Sequence, residues 1–104
     1  MGEAHFDEII HAPWRLRICG LLNRVDQLDF AVLRDTLSLS DSALSKQIKT
    51  LEEVGYVASR KAASTNRDDA RRLTWLSLTK QGRAAFEAHI RALQEIASSD
   101  AGHL

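Results

Sequence analysis

Ser42, Ser45, Lys46, Gln47 and Lys49 crowd into the run "SLSDSALSKQIKTLEEVGY", Ser38 to Tyr56. At about 100° per residue, Ser42, Ser45, Lys46 and Lys49 share one face of a helix, and Leu44, Ile48 and Leu51 share the opposite face. Ammonium groups attract phosphate, short hydroxyls and a carboxamide hydrogen-bond to polar edges at close range, and a helix N-terminus favours negative charge. The chemistry suits a polyanion that also presents polar edges to be read.

A second cationic group, Lys61, Arg67, Arg71 and Arg72, lies in and after "SRKAASTNRDDARR", with Asp68 and Asp69 among it. The 104-residue chain has no net charge, yet its charges are unevenly placed. Residues 40–83 hold nine Lys and Arg against five acids, while residues 1–39 hold four against six and residues 84–104 one against three. A local field of this kind matters more to a charged partner than the total.

Other chemistries find little support. The single cysteine, Cys19, sits in the apolar run "RLRICGLL", reads as a small core residue, and fits a reducing, cytoplasmic setting. His5, His11, His89 and His103 are spaced without i, i+3 or i+4 pairs, so no metal site is assigned. No Gly-rich phosphate loop follows a strand and no carboxylates cluster, so neither catalytic residues nor a cofactor is expected. No apolar run approaches the roughly 20 residues of a membrane span, and the N-terminus lacks the basic start of a secretory signal.

The elements that would position these residues follow from punctuation and period. Pro13 suits the first turn of a helix whose apolar positions, Trp14 to Val25, cover more than one face; Phe6 to Ile10 forms a separate short turn. "DQLDF" supplies a short strand and "FAVLRDTL" a short helix with Phe30, Leu33 and Leu37 inward. Ser40 is a good N-cap for the next helix, about 41–54, and Gly55 its left-handed terminator. "YVASRKA" and "LTWLSLT" alternate with period two and read as a hairpin, about 56–78, with a long polar loop; Leu73, Trp75 and Ser77 share one face, with Leu76 and Leu78 between them. Thr79 caps a last helix, about 80–97, and the tail "SSDAGHL" is expected to fray. Phe86 and Ile90 begin one apolar stripe on it and His89 and Ile96 belong to a second, an arc wider than one neighbour requires.

A short helix, a tight turn, a second helix with a hydroxyl and cationic face, and then a hairpin make a helix-turn-helix followed by a wing. "IIHAPWRLRICGLL", "LDFAVLRDTLSLSDSALSKQIKTLEEVGYV" and "LSLTKQGRAAFEAHI" together resemble the winged-helix transcriptional regulators related to the MarR and ArsR groups. The resemblance runs from about Phe6 to Ile96, and its most specific parts are "LSKQIKTLEEVGYV" and "LTKQG" in that order and at that separation. It implies a dimeric DNA-binding regulator with Ser42 to Lys49 on the major groove and the wing on the backbone or minor groove. The metal-sensing branch carries paired cysteines on the recognition helix. None occurs between Ser38 and Gly55 here, which argues against a Cys-based sensor.

The expected architecture is therefore α+β and mainly α: one winged helix-turn-helix domain over residues 1–104, with a two- to three-stranded antiparallel wing sheet and a C-terminal dimerisation helix. Lys46, Lys49, Lys61, Arg67, Arg71 and Arg72 are expected on phosphates, Ser42, Ser45 and Gln47 near bases, and Phe86, His89, Ile90, Leu93 and Ile96 between two copies of the chain. Double-stranded DNA is the expected partner, with no cofactor, no membrane and no assigned small-molecule effector. The rival is a winged helix that binds protein rather than DNA, favoured by zero net charge and the acids in the wing, and disfavoured by the cationic helix face.

Overall fold

The computed structural model describes residues 2–63 and 72–102, with Arg72 and the last four residues known by backbone alone. In chain order the elements are α1 (Glu8–His11), α2 (Pro13–Leu22), β1 (Leu28–Asp29), α3 (Phe30–Leu37), α4 (Asp41–Glu53), β2 (Val57–Ala63), β3 (Arg72–Leu78) and α5 (Lys80–Gly102). The mainly helical α+β order matches the expectation. No helix among the described residues is long and apolar enough to cross a membrane.

Local chemistry accounts for most boundaries. Asp7 caps the single turn of α1 by accepting from the Ile10 amide, and Pro13 opens α2, where its missing N–H leaves nothing unpaired. Ser40 caps α4 by accepting from the Ala43 amide at 3.1 Å, and Gly55, at φ 83°, turns the chain out of that helix. Thr79 caps α5 by accepting from the Gly82 amide at 2.9 Å. The tail departs from expectation: α5 continues past residue 97 to Gly102. Neither glycine nor proline occurs between Arg83 and Ala101, so the first residue with a strong tendency to stop a helix is Gly102 itself.

The three strands form one antiparallel sheet in the order β1-β3-β2. Val57 pairs with Leu78, Ser59 with Leu76 and Lys61 with Thr74. Opposed residues of an antiparallel pair share a face, so one face buries Val57, Leu76 and Leu78 at its base and carries Ser59, Lys61 and Thr74 farther out. Leu73, Trp75 and Ser77 lie on the other face and stay partly exposed. The core gathers Ile10, Ile18, Leu22, Leu33, Leu44, Ile48, Leu51, Leu76 and Phe86 from the helices and sheet. Cys19 is fully buried within it, and burial pushes its thiol up to about 12, where it holds no appreciable thiolate at neutral pH.

Candidate nucleic-acid interface

Leu44 and Leu51 of α4 are fully buried and Ile48 nearly so, which fixes the helix on the core by one face. Ser42, Ser45, Lys46 and Lys49 are all exposed on the other. The N-terminal end of this face is built by the turn after α3. Ser38 adopts left-handed φ 56° and ψ 41°, and its amide and that of Leu39 donate back to the Asp35 and Arg34 carbonyls at 3.2 and 3.0 Å. Ser40 then caps α4, with its hydroxyl 3.4 Å from that of Ser42.

Arg34 ties this turn together. Its Nε donates to Asp35 at 2.9 Å and its Nη1 to Asp41 at 2.7 Å. The hydrogen bonds to Asp35 and then Asp41 raise the guanidinium further above its ordinary range. The link carries little stability by itself, since both acids are well exposed. Its use is electrostatic: it offsets the negative charge of Asp41 at the helix end that a phosphate would approach.

Between α4 and the wing lies a cleft of about 490 Å³, lined by Arg34, Asp41, Ser45, Glu52, Ser59 and Lys61 above a floor of Phe30, Ile48 and Leu76. Glu52 accepts from the Ser59 hydroxyl at 2.8 Å and joins the far end of α4 to β2. Lys61 is exposed on the same sheet face as Ser59. The structure thus brings Ser45 and Lys61 to one cleft, with Ser42, Lys46 and Lys49 on the adjoining helix surface. Arg67 and Arg71 lie outside the described residues, and only the backbone of Arg72, paired with Ala63 at the end of the ladder, is described.

Several expected residues are placed elsewhere. Gln47 is half-buried, and its carboxamide oxygen accepts from Arg15 Nη1 at 2.8 Å, which ties that oxygen to α2. Phe86 belongs to the core and His89 is fully buried, so neither is on a surface that a second copy could touch. Phe86 packs its ring tip against Gly20 of α2, and the N-terminal segment folds back over α5 at His89: the His5 amide donates to the Ala88 carbonyl, and the Asp7 amide donates to His89 Nδ1, each at 3.0 Å. Ile90 and Leu93 keep part of their surface and Ile96 is 51% exposed.

Arg34, Arg15 and the pairing of His11 with His89 are absent from the residues singled out by sequence. "RD" before "SLSD" is a faint signal for Arg34, because it places a cation beside one acid and seven residues before another. Nothing local points to Arg15 or to the histidines, whose partners lie 32 and 78 residues away. Among the described residues no group of three or more His, Cys, Asp and Glu gathers to hold a metal ion.

Two helices joined by a capped turn, the second presenting a hydroxyl and cationic face beside a three-stranded wing, define a winged helix-turn-helix. The chain belongs to the winged helix DNA-binding domain family, which matches residues 14–97. It is 28% identical over 92 residues to an uncharacterized protein of Methanocaldococcus jannaschii, a match spanning 88% of this chain and 96% of that protein. Among solved structures it is similar to a transcriptional regulator homologue from Pyrococcus horikoshii OT3, with TM-score 0.80 at 22% identity over 89% of this chain and 88% of that one. It also resembles the YusO protein of Bacillus subtilis, with TM-score 0.72 at 22% identity over 89% and 62% of the two chains.

Proposed function

We propose that this DNA-binding domain is a transcriptional regulator that recognises specific duplex sequences as a homodimer. The observation that carries the proposal is the division of α4, with Leu44, Ile48 and Leu51 locked in the core while Ser42, Ser45, Lys46 and Lys49 stand exposed on the opposite face. Set into a major groove, such a helix puts Lys46 and Lys49 on phosphates and the hydroxyls of Ser42 and Ser45 at base edges. Lys61, with Arg67, Arg71 and Arg72 of the wing, adds phosphate contacts alongside. Two copies joined through the free parts of Ile90, Leu93 and Ile96 would span two half-sites. The cytoplasm is the compartment this role requires.

Selection of bound duplexes from a random library, followed by gel-shift titration over a salt series, tests the proposal. A palindromic consensus and an affinity that falls steeply with salt are expected. Binding that stays weak and salt-independent on every duplex overturns it. Lys46→Ala is expected to weaken binding across sequences and to reduce the salt slope by about 1, with helicity by circular dichroism unchanged.

A further inference from the structure

The fully buried His89 accepts at Nδ1 from the Asp7 backbone amide. A backbone N–H can only donate, so the ring proton of neutral His89 sits on Nε2, which lies 3.2 Å from Nδ1 of His11. His89 therefore donates to His11, whose own proton is on Nε2. This tautomer argues against a cation between the two rings, because a metal at Nε2 would require an imidazolate. Phe6 packs over both imidazoles, with ring centroids 4.7 and 4.8 Å away.

The pair is the root of a longer chain of contacts. Asp7, held by His89 through its amide, uses one carboxylate oxygen to cap α1 and the other to accept from the Tyr56 hydroxyl at 2.6 Å, immediately beyond α4. The turn of α1 so fixed presents the Ile9 carbonyl to Arg15 Nε at 2.6 Å, and Arg15 holds Gln47 in the middle of α4. Two arms run from one histidine to the recognition helix.

We propose that His89 is a positioning residue for α4, acting through Asp7, Tyr56, Arg15 and Gln47, and that a proton taken up by His89 unfastens α4 and weakens DNA binding. A proton on His89 Nδ1 sets N–H against the Asp7 N–H. From the elements packed around α5, the titratable or charged groups of this network are Asp7 and His11 at the N-terminus, Arg15 and Cys19 on α2, and Tyr56 at the exit of α4. Asp7 already accepts at both carboxylate oxygens and has none free for an imidazolium. Burial first, and His11 second, hold His89 below its ordinary 6.5 against the opposing pull of Asp7. The fastening is therefore complete above about pH 6.5 and is lost as the pH falls toward the depressed value.

Functionally the inference rests on the DNA-binding reading, and the sign of the effect makes it testable. Protonating histidines adds positive charge, which by itself strengthens DNA binding. Fluorescence anisotropy with a fluorescein-labelled duplex of randomised sequence, at matched ionic strength, is expected instead to show a loss of affinity as the pH is lowered from about 7.5 to about 5.5. His89→Asn places an amide oxygen near the position of Nδ1 and cannot titrate there, so its affinity should not fall between the two pH values. In ¹⁵N spectra of the unaltered chain, His89 should appear as the Nε2–H tautomer, and the Gln47 side-chain amide and Tyr56 amide should move with its midpoint. Affinity that rises in acid, or Gln47 and Tyr56 signals that stay still while His89 titrates, overturns the proposal. If the duplex is bound at no pH, the regulator assignment fails, and the shared midpoint still decides the fastening for or against.

Discussion

Ser38 is a residue with a side chain in the left-handed region, at φ 56° and ψ 41°. A Cβ there crowds the following carbonyl and costs roughly 1–2 kcal/mol, a penalty glycine avoids. The Ser38 amide bond to Asp35 needs no side chain. Ser38→Gly is therefore expected to stabilise the chain by about 1 kcal/mol and to raise Tm by a few degrees, measured by thermal and urea unfolding. A lower Tm would mean that the hydroxyl holds the turn through a contact worth more than the strain. In the sequence, Ser38 belongs to a polar turn, and nothing in "SLSD" marks it as the strained position, because the choice depends on where α3 must stop. Ser40, Gly55 and Thr79 were legible since each cap is settled within a few residues. Gln47 and His89 were not: Gln47 lies between the two faces of its helix, and the two residues take their partners from Arg15 and His11, 32 and 78 residues away.

Between elements, the end of "LSKQIKTLEEVGYV" and the start of "LTKQG", the two most specific stretches of sequence, turn out to be two sides of one junction. The Thr79 hydroxyl donates to the Gly55 carbonyl at 2.6 Å and accepts from the Gly82 amide, while the Thr79 amide donates to the Tyr56 carbonyl at 3.0 Å. The exit of α4 and the start of α5 are thereby fixed to each other, which sets the helix proposed to enter the groove against the helix proposed to join two copies. Gly82 is required at this junction because a Cβ on it would collide with the Tyr56 carbonyl. That carbonyl belongs to the junction and has little room to yield. Gly82→Ala is expected to destabilise by about 3 kcal/mol, the upper end for overpacking, read from the urea midpoint. A loss below about 1 kcal/mol would show that the junction is compliant. The hairpin itself was legible from period two, but its inward face was not. Leu73 and Trp75 are as apolar as Leu76 and Leu78, and only the register that sets Val57 opposite Leu78 decides between them.

At the scale of the molecule, zero net charge conceals a basic middle flanked by two acidic ends, and the fold keeps that division. Lys46 and Lys49 of α4 stand beside the cleft that Lys61 of β2 lines, whereas α5 around Ala88 and His89 is covered by the chain's N-terminal segment. Burial of Phe86 and His89 takes two of the five expected residues away from a second copy. What is left is the outer part of α5, around half-buried Leu93 and exposed Ile96, on a helix about 35 Å long. Isolated exposed apolar residues are ordinary, but here they lie where a two-fold partner helix would bring them against their own counterparts. Ile96→Glu would set like charges across such an axis and add nothing to the chain's own core. The variant is expected to shift sedimentation from dimer to monomer and to leave the helical content unchanged. It should also abolish the rise of Tm with protein concentration that coupled folding and association produce. On a duplex carrying two half-sites it should lose affinity more than on a single half-site, because only the former gains from the linkage of two domains. An unaltered chain that sediments as a monomer, or an Ile96→Glu variant that remains a dimer, would move the interface away from the end of α5.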